Sequence, residues 1–262
     1  MCSQSLRKRV LSLIIQLFVA FTCTLIAPAA GAAQCRAFME SYVVLDNGLI
    51  RVELAPAHGG RLKKMIDHRN GLQYVGWRRG DGGTLRDLLG GGYPGITHDK
   101  AYSVELEQSE HVAAATLTHT MAAGLWQGLR ITRRVEVRDS LPILFVKVTM
   151  TNTSKEPRRI NYRVHNELRV GDAEGSDVYF YPRREGVESV RFVAGKTEVN
   201  QTRLAPSAGW KAVIDTKRTR GVIARMSHED LKLFLDWLYT DQLRSFEWQY
   251  EPKTIAPGES WS

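Results

Sequence analysis

The sequence predicts an all-β fold, built as a large sandwich or barrel. Segments that alternate apolar and polar residues follow one another from Ser41 onward, the pattern of half-buried strands. Short turn signals separate them, among them Asp46-Asn47-Gly48, Arg138-Asp139-Ser140 and the run NTSKEP. No strand-helix-strand rhythm interrupts the series, which argues against a parallel α/β sheet. The chain has 262 residues, 43% hydrophobic and 24% charged, enough for a sizeable core.

Taken in order, the first element is a leader. Arg7, Lys8 and Arg9 precede the apolar run LSLIIQLFVAFTCTLIAP, and small residues follow in AAGAAQ. A basic start, an apolar centre and a small-residue end read as an export signal. Residues 1–33 are therefore expected to be a signal peptide cleaved after Ala33, with residues 34–262 as a single domain. The bland alternative is a retained membrane anchor, since Val10 to Ala33 is long enough to span a bilayer. Cleavage would remove Cys2 and Cys23 and leave Cys35 alone, so neither an internal disulfide nor a cysteine metal site is expected.

Strands are then predicted at SYVVL and LIRVELAP, joined by the Asp46-Asn47-Gly48 turn, and at RLKKMI and LQYVGW. The stretch RRGDGGTLRDLLGGGYPGITHDK reads as one long loop, a feature that in compact domains is usually functional or mobile. A four-strand meander follows: AYSVELEQ, HVAAATLTHTM, LRITRRVEVR and PILFVKVTMTN. RRINYRVHNEL, VYFY, SVRFVA, WKAVID and GVIARM read as further strands. One helix is expected, because Ser227 caps a first turn holding Glu229 and Asp230, and Leu231, Phe234, Leu235 and Leu238 follow at helical spacing. Ala256-Pro257-Gly258-Glu259-Ser260 is a turn that should lead into another strand. The fold is therefore expected to lack its last strand, or the sequence to be cut short.

Composition and motifs exclude several functions. The basic residues come as scattered pairs beside acids, such as Arg133-Arg134 and Arg158-Arg159, not as a clustered stripe with interleaved aromatics. Nucleic-acid binding is not expected. His58, His68, His119 and His228 show no metal-ligand spacing. Phosphate-loop, dinucleotide and nucleophile-elbow motifs are absent.

Four segments in the right order resemble the galactose mutarotase-like (aldose 1-epimerase-like) superfamily: NGLIRVELAPAHGGRLKKMI, LLGGGYPG, ILFVKVTMTNTSKEPRRINYRVHNEL and LRSFEWQYEPKTIAPGESW. The resemblance implies a β-supersandwich with an open cleft, no cofactor and no metal, and a carbohydrate partner. It also implies anomer exchange, in which an acid and a base on opposite sides of the ring move protons at the anomeric and ring oxygens. His165 matches the strand-borne acid and Glu247 the carboxylate base, with Glu251 as its rival. Arg61, His98, Asn166, Glu167 and Trp248 are the implied substrate contacts. Trp77, Trp126, Tyr93 and Trp210 are further stacking candidates, most of them expected in the core. The plain alternatives are that His165 is a surface residue at a strand end and that Glu247 is an outward residue of SFEWQYE. Leu89 stands where such epimerases carry a second histidine, and leucine has no proton to give. Two functions stay open: a periplasmic or secreted mutarotase-type enzyme, or a non-catalytic glycan-binding or envelope protein that keeps the cleft.

Overall fold

The computed structural model describes residues 34–75, 83–90, 92–93, 95–171, 177–192, 200–217, 220–240 and 243–262. The expected leader and Trp77 lie outside them. Among the described residues every regular element is a strand, and no helix is long and apolar enough to cross a membrane.

The chain opens with an antiparallel meander, Arg36–Met39, Val43–Asp46, Ile50–Ala55, Arg61–Asp67 and Leu72–Gln73. Its first tight turn forms where the sequence places it. Gly48 takes φ 78°, and its N–H donates to Asp46 Oδ1 at 2.8 Å. The next meander, Ser103–Gln108, Val112–Thr120, Leu129–Arg138 and Leu144–Asn152, makes a second sheet. Past Gly258 the chain enters Ser260–Trp261, which pairs with Leu144–Asn152 at the edge of that sheet. The inward residues of both sheets, including Val43, Leu45, Val52, Leu54, Ala115, Leu117, Ile131 and Val135, form one buried cluster.

A third sheet runs in the order Asn200–Leu204, Leu231–Thr240, Glu247–Tyr250, Arg163–His165, Arg86–Leu88. A bridge between Leu62 and Thr84 ties it to the first sheet. The fourth sheet, Gly186–Arg191, Asp177–Arg183, Trp210–Asp215 and Arg220–Arg225, packs on the third. Tyr179, Tyr181 and Val213 meet Phe234, Leu238 and Phe246 there in a second buried cluster. The four sheets thus pack around two buried clusters, in keeping with the β-supersandwich expectation.

Two expectations are corrected. The segment expected to be a helix forms the ten-residue strand Leu231–Thr240, paired with Asn200–Leu204 on one side and Glu247–Tyr250 on the other. Its residues bury both faces, and two flanking strands satisfy its backbone groups, so pairing overrides the helical spacing. The glycine-rich stretch is not all loop: Arg86–Leu88 is the edge strand of the third sheet.

Candidate functional site

Strand register builds the site. Arg163 lies opposite Gln249 and Val164 opposite Trp248, so the next antiparallel pair is His165 and Glu247. On the other side of the same strand, His165 lies opposite Arg86. Three neighbouring strands therefore place Arg86, His165 and Glu247 side by side in one row. Alternation sends Val164, Trp248 and Tyr250 to the apolar clusters, and Arg163, His165 and Glu247 to the opposite face.

That face is not solvent. His165 is 4% exposed and Glu247 1%. The imidazole lies between two carboxylates. Its Nε2 is 3.2 Å from Glu167 Oε1, within a hydrogen bond. Its Nδ1 is 2.9 Å from Glu247 Oε1, an ion pair whose angle is too bent for a good hydrogen bond. Arg163 Nε adds a contact of 3.2 Å to Glu247 Oε2. Burial opposes the imidazolium, but the adjacent Glu167 and Glu247 carboxylates outweigh it and raise the His165 pKa. Burial likewise opposes the Glu247 carboxylate, yet His165 and Arg163 hold its pKa below the usual range. Opposite charges in a poorly solvated place keep one another ionised.

The backbone beneath this row is held from behind. Lys211 Nζ donates to the Glu247 carbonyl at 3.0 Å, and the Glu247 N–H donates to Asp236 Oδ1 at 2.9 Å. Lys211 and Asp236 themselves pair at 2.6 Å, and the Tyr181 hydroxyl also donates to Asp236. Asn166 clamps the front. Its Oδ1 accepts the Leu85 N–H at 2.9 Å and its Nδ2 donates to the Phe246 carbonyl at 2.8 Å. It thereby joins the residue before Arg86 to the residue before Glu247. Leu85 has φ 60°, a conformation that leucine adopts only under constraint.

The mouth of the row is Tyr93, 43% exposed. Its ring centroid is 5.0 Å from that of His165, and its hydroxyl accepts a hydrogen bond from Arg86 Nη1 at 3.1 Å. The loop carrying it returns through Gly95, where φ is 85° and a Cβ would meet Leu88 Cδ2 at 2.5 Å. Thr97 Oγ1 then donates to the Asp87 carbonyl at 2.8 Å.

The structure thus gathers His165, Glu247, Asn166 and Glu167, with Asn166 committed to backbone. Arg61 is buried with its side chain along Gly83, and the His98 carbonyl packs beside Gly59. Trp248 packs against both apolar clusters on the reverse face of its strand. Glu251, the rival base, is exposed and bonds Lys232 at 3.1 Å. Leu89 is wholly buried in the first cluster, beside a separate groove of about 510 Å³ edged by Trp126 and Asn161. Sequence reading missed Arg86, Arg163, Lys211 and Asp236. Arg163 had a signal, since it precedes His165 by two residues on an alternating strand.

No protein-family model matches the sequence, and no curated protein sequence matches it. Solved structures do match. A galactose mutarotase-like protein from Clostridium acetobutylicum superposes with a TM-score of 0.65 at 12% identity, over 88% of this chain and 96% of that one. A galactose mutarotase-like protein from Lactobacillus casei gives 0.61 at 14% identity, over 84% and 97%. A TPR-domain containing protein from Parabacteroides distasonis gives 0.62 at 11% identity, and here the match takes in 84% of this chain but 45% of that one. This chain therefore spans less than half the length of the TPR-domain protein. At such identities the likeness is one of architecture: the chain has the galactose mutarotase-like fold.

Proposed function

We propose that the protein is a carbohydrate-binding protein that holds its ligand on the Arg86–His165–Glu247 row beneath Tyr93, with His165 and Glu247 acting together as a binding pair. The observation that carries this is the 2.9 Å contact between His165 Nδ1 and Glu247 Oε1. Anomer exchange of the mutarotase type needs acid and base across the sugar ring from one another. A pair in direct contact leaves no ring between its members, and Leu89 offers no substitute acid. The pre-paired charges instead supply fixed donors and acceptors for hydroxyl groups, and the exposed Tyr93 ring offers an apolar face. The basic start, apolar run and small-residue end of residues 1–33 support an export route, so the protein is proposed to work in the periplasm or outside the cell.

The test is anomer exchange measured by NMR with a panel of free hexoses, uronic acids and short glycans. Exchange at the buffer rate, together with ligand line broadening that Glu247→Gln removes, is the expected result. Acceleration above the blank that Glu247→Gln abolishes would overturn the binding reading in favour of an isomerase.

A further inference from the structure

Arg86 carries a charge that nothing in the row neutralises. It is 3% exposed, and Nη1 alone is bonded, to the Tyr93 hydroxyl. Its Nε and Nη2 are buried without a hydrogen-bond partner. The two carboxylates of the row are already engaged by other cations, Glu167 by His165 and Glu247 by His165 and Arg163. A buried guanidinium left half unpaired is strongly unfavourable, so its free N–H groups call for a partner that completes them.

The free atoms have a definite shape. Nε–H and the adjacent Nη2–H form one flat edge of the guanidinium, the fork that receives both oxygens of a carboxylate. A second unpartnered atom stands nearby in the row. Glu167 Oε2 is buried and accepts nothing, while its Oε1 takes His165. A planar anion is wanted at one point and a hydroxyl donor at another.

We propose that the ligand is an anionic sugar of the uronic acid class. Its carboxylate seats on the Nε–Nη2 edge of Arg86, and one of its hydroxyls donates to Glu167 Oε2. Tyr93 must swing aside to admit it, since that residue alone of the group is substantially exposed and its hydroxyl occupies the third corner of Arg86. A carboxylate fits better than a phosphate. The row already holds two carboxylates, and a dianion would meet more repulsion than a monoanion. This inference rests on the carbohydrate reading above and narrows it to a substrate class.

The experiment uses the full chain and needs no variant for its first arm. Galacturonic and glucuronic acids are titrated against their methyl esters and the neutral hexoses, with affinities read by calorimetry or NMR. Each acid should bind about tenfold or more tightly than its ester, the ester lacking only the charge-assisted fork. Arg86→Gln should bring acid and ester to the same affinity. Arg86→Lys, which keeps the charge but not the fork, should recover only part of the difference. Equal binding of acid, ester and hexose by the unaltered protein overturns the anionic class and leaves the carbohydrate reading standing. Tighter binding of galactose 6-phosphate than of galacturonic acid overturns the carboxylate in favour of a phosphate. No binding of any sugar overturns both.

Discussion

Asn166 shows how much one side chain can decide. It spends its amide on two backbone groups, the Leu85 N–H and the Phe246 carbonyl, so Arg86 and Glu247 sit at their stations because Asn166 spaces them. Replacing it with alanine leaves a buried carbonyl and a half-buried N–H unpaired, and the expected cost is about 1–3 kcal/mol, read by urea denaturation. The His165–Glu247 pair makes a prediction in pH. The raised His165 pKa means that its contribution is whole below the ordinary imidazole value of 6.5 and fades as pH climbs through the raised value. The lowered Glu247 pKa means that its contribution is whole above 4.5 and fades as pH falls through the lowered value. The stability that the native chain holds over the His165→Gln, Glu247→Gln double variant should therefore be greatest between pH 4.5 and 6.5. A difference that grows above pH 8 would contradict a charged imidazole. Both residues were legible in the sequence from the order of the motifs around them. Their contact was not, because it arises from a register between strands more than eighty residues apart in the chain.

At the scale of elements, legibility depended on whether one face or two were buried. The meander strands from Val112 to Asn152 read clearly because they alternate. Leu231–Thr240 did not, since Leu231, Phe234, Leu235 and Leu238 satisfy a helical period while Leu231, Leu233, Leu235 and Trp237 satisfy a strand. Asp236 was the one informative exception, a charge inside an apolar run, and the structure explains it through Lys211. Burial lowers the Lys211 pKa and raises that of Asp236, so each keeps its charge only through the other. Lys211→Met should cost about 3–5 kcal/mol, because it strands a carboxylate at the back of the site. Adding Asp236→Asn, which removes the charge but keeps an oxygen for the Glu247 N–H and a polar partner for the Tyr181 hydroxyl, should return a large part of that loss in denaturant titrations. If the double variant were as weak as the single one, packing around the lysine stem and not the charge would be the cause.

For the whole molecule, a small set of side chains packs against both buried clusters: Met65, Trp248 and Tyr250. Trp248 is the largest, and its strand carries Glu247 on the other face, so the join between the cores is also the floor of the site. The family resemblance cast Trp248 as a sugar contact, and strand alternation packs it, half-buried, against both apolar clusters. The two roles separate cleanly in one variant. Trp248→Ala should destabilise the fold by about 3–5 kcal/mol through the cavity it leaves. The native chain should unfold in a single transition by far-UV dichroism and tryptophan fluorescence, five of the six tryptophans remaining in the variant. In the variant the two probes should diverge as the clusters uncouple, while sugar affinity measured well below the transition stays within about twofold, since no row residue has been removed. A variant that kept its stability and lost its sugar would return Trp248 to the cleft and move the binding face to the opposite side of the sheet.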